Sequence, residues 1–251
     1  MFFFTFAKIK IKVQNRMKKL ALFFVLSSFV FCGMAQNKFS GGIYFNPTIS
    51  WMKPDVKHIE KDAIRVNFGF GLVGDFNLTD NFAFQTGLRF NNMGGSLKYL
   101  DTLPSFKTAD STYKLLPGSI IEYKTQYVGI PLYIKGKTNE IGGIFYFLKA
   151  GVVPSFRYSA KANVTVNSND DARDEMRGLY TSFELGGGIE YVLGGNTRVL
   201  AELVFSNGLT DATKTLAGDP KRYDQYGKML PREKTDKVIQ NGLMLNIGIL
   251  F

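Results

Sequence analysis

Charged residues recur at every second position within stretches that are otherwise apolar or small. Glu202, for example, lies between Ala201 and Leu203. Residues two apart share one face of a β-strand, so the charges fall on one face and the large apolar side chains on the other. The charged set is Asp75, Arg89, Lys135, Lys149, Arg157, Glu184, Glu190, Arg198 and Glu202. Four acids and five bases nearly balance, which predicts ion pairs in a confined interior of low dielectric.

The single histidine, His58, is the main candidate for catalysis and lies in the segment KPDVKHIEKD. A lipid-modifying barrel enzyme needs a histidine, a serine and a carboxylate within hydrogen-bonding reach. Glu60 and Asp62 supply neighbouring carboxylates, but no serine is in register. We therefore expect a solvated loop here, and we predict no catalytic residue, no cofactor and no metal site.

Three other segments have the composition of ligand sites without the required spacing. Residues 163–175, NVTVNSNDDARDE, are acidic but lack the alternating ligands and turn glycine of a calcium loop. GLVGD (71–75) and LGGGIEY (185–191) contain glycines, but no helix follows either to bind a phosphate at its N-terminus. We expect neither ion at these segments.

Eight alternating stretches must position the charged set: residues 39–51, 65–78, 82–93, 120–136, 144–158, 179–193, 197–209 and 238–251. Their connections alternate strictly between long (52–64, 94–119, 159–178, 210–237) and short (77–81, 137–143, 194–196). This predicts an all-β fold, an eight-stranded antiparallel up-and-down transmembrane β-barrel with four long outer loops and three short periplasmic turns. In the fourth stretch the alternation of apolar and polar residues slips on the N-terminal side of Gln126.

Two kinds of fold fit such alternation, a soluble sandwich or lipocalin-like barrel and a membrane barrel, and they bury opposite faces. A soluble barrel would fill a narrow interior with Phe and Leu and leave glycine-rich strands facing water without a purpose. A membrane barrel turns the apolar face to lipid and uses glycines to make room in a tight lumen. We predict the membrane barrel, with a lumen closed by the charged set together with Tyr133, Phe145 and Phe147.

The longest apolar run, within residues 17–35, has the layout of a secretory signal peptide: two lysines, a short apolar core and small residues before Ala35. Residues 1–16 are interpreted as an over-long start or leader extension, and residues 36–251 as one outer-membrane β-barrel domain. A helix of the mature protein would be short for a membrane span. A lipoprotein anchor at Cys32 fits less well, because Phe29 and Phe31 occupy positions where such a site needs other residues.

The net charge and the cysteine content both change when the leader is removed. Residues 1–35 carry six of the 31 Lys and Arg, none of the 21 Asp and Glu, and the single cysteine. The formal charge falls from +10 to +4, so the basic balance gives no support to nucleic-acid binding. Disulfide and thiol chemistry are then absent from the predicted mature chain.

Several segments carry a family resemblance: YVGIPLYIKGK (127–137), LKAGVVPSF (148–156), ELGGGIEY (184–191), FSNGLTD (205–211) and NIGILF (246–251). With them the chain resembles the PorT-like outer-membrane β-barrel family of Bacteroidetes-type bacteria over residues 36–251. The resemblance implies a barrel in the cell outer membrane. The family's namesake is linked to protein secretion and gliding, which makes an accessory role in such an apparatus one alternative, although no motif ties this chain to that branch.

The predicted function is that of a non-enzymatic outer-membrane protein acting through its long loops in surface interaction or envelope structure. A barrel lipid hydrolase or acyltransferase is the second alternative. Expected partners are outer-membrane lipid and lipopolysaccharide, which the basic loop 210–237 could touch, and an unidentified protein. Ile247, Ile249 and Phe251 resemble the signal by which barrel-assembly machinery captures a last strand. We expect a monomer.

Overall fold

The chain is described by a computed structural model at residues 39–108, 110–164, 168–214, 223–224, 226–230 and 237–251. Ser40–Phe251 forms one compact unit, and the predicted leader lies outside the described residues. The strands in chain order are β1 (Phe39–Pro54), β2 (Ile59–Lys61), β3 (Arg65–Asn77), β4 (Phe82–Tyr99), β5 (Leu103–Lys107), β6 (Thr112–Leu115), β7 (Ser119–Gly129), β8 (Leu132–Lys137), β9 (Ile144–Asn163), β10 (Asp170–Asp171), β11 (Leu179–Gly194), β12 (Thr197–Gly208) and β13 (Val238–Leu250). The described residues contain no helix with the length and hydrophobicity of a membrane span.

Eight strand positions close into an antiparallel ring. Its order is β1, β3, β4, β7 with β8, β9, β11, β12 and β13, and β13 pairs back with β1. β7 and β8 form one position because the register is unchanged across their junction: Gly129 lies opposite Ser155, and Leu132 lies opposite Val152. Pro131, which has no N–H to donate, separates them. Closure pairs the first strand with the last, as hydrocarbon surroundings require.

Each of the eight predicted stretches falls on one position of this ring. The largest differences are at the ends of β4 and β9, which continue to Tyr99 and Asn163 rather than ending at residues 93 and 158. The continued parts have polar outer faces, so a search for apolar outer faces ended these strands too early. The structure also adds short strands within the long connections, β2, β5, β6 and β10.

The wall of the ring is apolar outside and polar inside. Leu148 is 70% exposed and Leu203 is 52% exposed, whereas Arg89 and Glu202 are each 3% exposed. A water-soluble barrel would have the reverse distribution. The described outer wall therefore matches hydrocarbon rather than water.

Residue types exchange faces along β7 while its side chains continue to alternate between the two faces. Ile121 and Tyr127 are buried inside the barrel, and Glu122, Lys124 and Gln126 lie on the outer wall. The predicted slip of the pattern at Gln126 therefore corresponds to a change in which residue types face outward, and the register of β7 with β9 shifts at the same place, between Gln126 and Tyr127. The side chains keep alternating, and the outer face becomes polar because it leaves the apolar band of the wall.

The interior has a polar level and an apolar level. The apolar level lies at the end with the long connections, and we call it the roof. It is formed by Met52, Ile59, Met93, Leu97, Leu103, Phe106, Leu115, Ile121, Tyr123, Tyr127, Ala160, Ala162, Ala172, Met176, Tyr180, Ala212 and Val238. Because Leu103, Phe106 and Leu115 come from β5 and β6, the connection between β4 and β7 packs into the same cluster as the barrel wall.

Candidate functional site

Lys135 is the centre of the first charged group in the lumen. It is 0% exposed, its Nζ donates to Asp75 Oδ2 at 2.6 Å, and it donates also to Glu190. Arg198 binds the other carboxylate oxygen of Glu190. The ammonium lies 4.4 Å from the centre of the Phe147 ring, which adds a cation–π contact. One lysine thus joins two acids from different strands.

Lys149 is the centre of the second group, which is hydrogen-bonded to the first. Its Nζ donates to Glu202 Oε1 at 2.7 Å and to Gln85 Oε1 at 2.8 Å. Gln85 in turn donates from Nε2 to Asp75 Oδ1 at 2.7 Å. Asn246 donates to Glu202 Oε1 at 2.5 Å. Neutral amides therefore fill the gaps between the ion pairs.

Arg89 and Glu184 form the third group, nearest the roof. Arg89 donates from Nη2 and Nη1 to the two carboxylate oxygens, at 2.6 and 2.9 Å. Tyr133 donates its hydroxyl to the same carboxylate, and Ser182 and Ser206 donate to Glu184 Oε1 at 3.1 Å each. A fully buried carboxylate with this many donors is well satisfied.

The three groups bring together eight of the nine predicted charged residues: Asp75, Arg89, Lys135, Lys149, Glu184, Glu190, Arg198 and Glu202. The network holds four positive and four negative side chains. Each charge has an opposite partner, which offsets the cost of removing it from water. Ion pairs between side chains of different strands therefore connect the walls of the lumen to one another.

Arg157 is the predicted residue that the structure places outside this network. Its Nε donates to the carbonyl oxygen of Arg177, and its Nη2 donates to that of Arg173, each at 3.1 Å. The prediction that Arg157 pairs with lumen acids is therefore wrong. It lies six residues before the end of β9, where the carbonyl oxygens of Arg173 and Arg177 in the following connection are within reach.

The burial of the network shows how tightly the polar level is filled. Lys135, Glu184 and Glu190 are 0% exposed, so no water-sized sphere reaches them. Tyr133 and Phe147, expected to fill the lumen, are 3% and 4% exposed. A continuous water channel along these residues would leave them accessible, so side chains occupy the lumen at this level.

His58 pairs with a carboxylate that sequence reasoning missed. Its Nδ1 lies 3.1 Å from Oδ2 of Asp101, a residue 6% exposed. Glu60 lies on β2, opposite Lys98 of β4. Asp101 follows β4 in a connection with no alternation, so no pattern could place it beside His58. Within the described residues, no three His, Cys, Asp or Glu side chains are grouped as metal ligands.

In the acidic segment 163–175, two aspartates make a hydrogen bond and an ion pair with other side chains. Asp170 accepts a hydrogen bond from Tyr113, and Asp171 pairs with Arg173 at 2.5 Å. Residues 165–167 lie outside the described residues. Asp170 and Asp171 are thus engaged with a tyrosine and an arginine of the loops.

Glu175 is the buried acid of the loop region. It is 5% exposed and accepts a hydrogen bond from the Tyr123 hydroxyl at 3.2 Å, and Tyr123 is within 3.1 Å of the Tyr99 hydroxyl. Burial is the main cause that raises the pKa of Glu175 from its ordinary value of 4.5 to about 8; the hydrogen bond from Tyr123 opposes the rise, and the nearby Asp170 and Asp174 add to it. This carboxyl is therefore protonated near neutral pH. It lies in the connection between β10 and β11.

The last strand presents its alternate apolar residues to the outside. Ile247, Ile249 and Phe251 are 49%, 40% and 59% exposed. β13 pairs with β12 on one side and with β1 on the other, and Phe251 exchanges backbone hydrogen bonds with Gly41. The terminal residue thus lies at the seam where the first and last strands meet.

Comparison with solved structures finds small outer-membrane barrels. The Ail attachment invasion locus protein of Yersinia pestis is 14% identical, with 85% of this chain and 99% of that chain covered and a TM-score of 0.40. OprG of Pseudomonas aeruginosa is 10% identical, with 85% and 97% covered and a TM-score of 0.43. The outer-membrane protease OmpT of Escherichia coli is 10% identical, with 86% and 97% covered and a TM-score of 0.47. A comparison with curated proteins finds none that matches.

The family comparison is decisive for the type of protein. The outer membrane protein beta-barrel domain matches residues 34–214, well over half of the chain. That match agrees with the closed ring, the apolar outer wall and the paired charges of the lumen. The chain belongs to the outer membrane protein beta-barrel family, and its place is the outer membrane.

Proposed function

We propose that this protein is a sealed, non-enzymatic barrel that acts through its long connections in surface interaction or envelope structure. In this proposal the four long connections face the outside and the three short turns face the periplasm, the arrangement usual for outer-membrane barrels. The narrower PorT-like assignment rests on the quoted segments alone and concerns the fold. The protein works as a single ring, which its own strands close.

The filled lumen is the observation that carries this proposal. Diffusion through an eight-stranded barrel needs an open interior, and here the charges at mid-barrel are paired and inaccessible to water. The roof adds a second, apolar obstruction on the side of the long connections. Solute transport would require both levels to open. A role outside the lumen is therefore favoured.

The long connections have the organisation expected of a binding surface. β5 and β6 form their own two-stranded sheet, and isolated bridges join Thr102 to Tyr223 and Met176 to Thr213, so separate connections contact one another. Tyr226 is 85% exposed and Met229 is 61% exposed. Exposed aromatic and apolar side chains on a connected scaffold are common at interaction sites.

Planar-bilayer recording tests the sealed lumen. The purified full chain should show no steady conductance of porin size, while a double variant, Lys135→Ala with Arg89→Ala, should show leak events because it removes two of the lumen's cationic ties. A stable, porin-sized conductance of the parent protein would refute the proposal. Crosslinking through cysteines placed at Tyr226 and, as a periplasmic control, at Thr79 in intact cells would identify surface partners.

The non-enzymatic part of the proposal has a separate test. His58 is the residue on which a lipid-modifying activity would depend, so the His58→Ala variant and the parent should leave the outer-membrane lipids of the cell identical by mass spectrometry. A lipid species present with the parent and lost with the variant would establish catalysis instead.

A further inference from the structure

A notch opens in the outer wall where β3 and β4 separate. The two strands pair from Phe70 opposite Phe90 to Asn77 opposite Ala83, toward the short turn between them. Beyond Phe70, toward the long connections, a cavity of about 360 Å³ lies between the two strands. Its lining includes Arg65, Phe68, Asn92, Lys124, Ser159 and Lys161. The notch therefore combines three cations with apolar and polar wall residues.

The three cations lie in one row across four strands. Lys124 of β7 is paired with Gly94 of β4 on one side and with Lys161 of β9 on the other. Arg65 Cδ lies 3.3 Å from the position that a Cβ at residue 94 would occupy, and that Cβ would overlap the Tyr123 carbonyl oxygen. Glycine is thus required at 94, between Arg65 and Lys124.

The positive charge of this row is only partly compensated. Glu122 contacts Arg65, and its Oε2 lies 3.7 Å from Lys124 Nζ. Asp171 is the β10 partner of Lys161, but its carboxylate is bound by Arg173. Lys124 and Lys161 are like charges directly opposite each other on adjacent strands, which is an unfavourable pair unless an anion lies between them. The row retains an excess of positive charge.

The notch lies at the edge of the apolar band. Immediately toward the bilayer, Phe68 and Phe70 are 55% and 58% exposed. Phe68 stacks on Phe45 with ring centres 5.7 Å apart, and Phe70 stacks on Phe90 at 4.9 Å. A continuous aromatic surface thus leads from the hydrocarbon level to the cationic row. An amphiphile with an anionic head and apolar tails matches this order of surfaces.

We propose that the notch binds the phosphate group of an outer-leaflet lipid, whose acyl chains lie along the aromatic surface of β3. Arg65, Lys124 and Lys161 hold the phosphate oxygens through charge-assisted hydrogen bonds. The inference rests on the outward orientation in the proposed function, since only then does the notch lie at outer headgroup level. It assigns a ligand class to a surface separate from the long connections and from the charged network of the lumen.

Lipid retention by the folded full chain tests the proposal. The protein, purified in detergent, is incubated with bisphosphorylated lipid A or with the same lipid after removal of its phosphates, and bound lipid is counted by native mass spectrometry. The Lys124→Gln, Lys161→Gln double variant should bind the phosphorylated lipid about 30-fold more weakly, because each cation at an anionic lipid surface contributes about tenfold or less. Lys53→Gln, an exposed β1 lysine outside the notch, is the matched control and should bind as the parent does.

Three results would overturn the site. These are equal binding by the double variant and the parent, equal binding of the dephosphorylated lipid, and complete displacement by excess inorganic phosphate, which would identify a soluble anion as the ligand. Circular dichroism verifies folding of each variant, and the single Lys161→Glu change gives the same reading if the double variant fails to refold. A conducting barrel that still shows this lipid dependence would refute the sealed lumen alone and leave the notch intact.

Discussion

Arg89 and Glu184 form a bidentate salt bridge across the lumen of the barrel, with N–O distances of 2.6 and 2.9 Å. Arg89 is on β4 and Glu184 is on β11, and two ring positions separate these strands. The contact therefore braces the lumen across its width, in addition to the hydrogen bonds that hold neighbouring strands together. Its contribution to the free energy of unfolding can be measured separately from that of the hydrogen bonds between neighbouring strands.

Removal of one partner should be far more costly than removal of both. Arg89→Met leaves the fully buried Glu184 without its cation and should lower the free energy of unfolding by about 3–5 kcal/mol. The double variant with Glu184→Leu removes both charges and should regain most of that loss. Urea unfolding of protein refolded into vesicles measures both values. A single variant within about 1 kcal/mol of the parent would contradict the bracing role.

Arginine scanning of the outer wall should locate the edge of the apolar band. Leu203→Arg places a charge at mid-wall and should cost about 2–4 kcal/mol, whereas Ile120→Arg, beyond the polarity change on β7, should cost about 0–1 kcal/mol. Both parent side chains are about half exposed, 52% and 47%, so loss of packing is comparable. Equal costs in a vesicle unfolding experiment would place the band edge elsewhere.

Enlarging a glycine should destabilise the barrel where the lumen has no room for a further side-chain atom. A Cβ at Gly71 would overlap the Tyr44 ring, whereas a Cβ at Gly136 would meet its nearest neighbour, Phe82, at 3.5 Å. Gly71→Ala should therefore destabilise the barrel by about 1–3 kcal/mol, and Gly136→Ala should change it by about 0.5 kcal/mol or less. Thermal unfolding followed by circular dichroism compares them. Similar effects would show that Tyr44 moves aside freely.

The loop region should loosen as the pH rises. Burial raises the pKa of Glu175 to about 8 in the folded protein, against 4.5 as its ordinary value. A raised acid pKa contributes stability that is fully present below about 4.5 and is progressively lost as the pH rises to about 8. Hydrogen exchange at residues 168–178 should accelerate across this range beyond its intrinsic pH dependence. Glu175→Gln cannot ionise, so an unchanged pH response in that variant would exclude this cause.

The last residue should matter more for assembly than for stability. Phe251→Ala removes a wall side chain that is already 59% exposed, so the refolded variant should unfold within about 1 kcal/mol of the parent. If Phe251 is read by the assembly machinery through strand pairing, the amount of protein in the outer membrane of cells should fall several-fold. Quantitative blotting of membrane fractions measures this. Unchanged amounts would remove the signal role.

The strands and the inward charges could be predicted from sequence because both depend on one local rule, alternation with period two. Glu202, Lys149 and Arg89 follow that rule without reference to the rest of the chain. The exchange of faces on β7 broke the assumption that the apolar face is always outside, so the pattern of residue types slips there although the side chains keep alternating. The same assumption shortened β4 and β9.

The partners could not be predicted, because contacts across the ring depend on the stagger of strands far apart in sequence. Alternation places Lys135 in the lumen but does not indicate whether it meets Asp75, Glu184 or Glu202. Arg157 shows the cost of this limit, since it points inward in the pattern and yet binds loop carbonyls. The His58–Asp101 pair lies in connections where no periodicity exists, so only the folded structure joins them.

The exchange of faces on β7 also fixes how deeply the protein sits in its bilayer. A shift of the barrel by two residues along β7, about 7 Å, would move Gln126 into hydrocarbon or Val128 into water. Either displacement is opposed by transfer free energy, so vertical position is set by one strand's sequence. Membranes of unequal thickness would then have to deform around this ring, which gives the molecule a preference for one bilayer thickness.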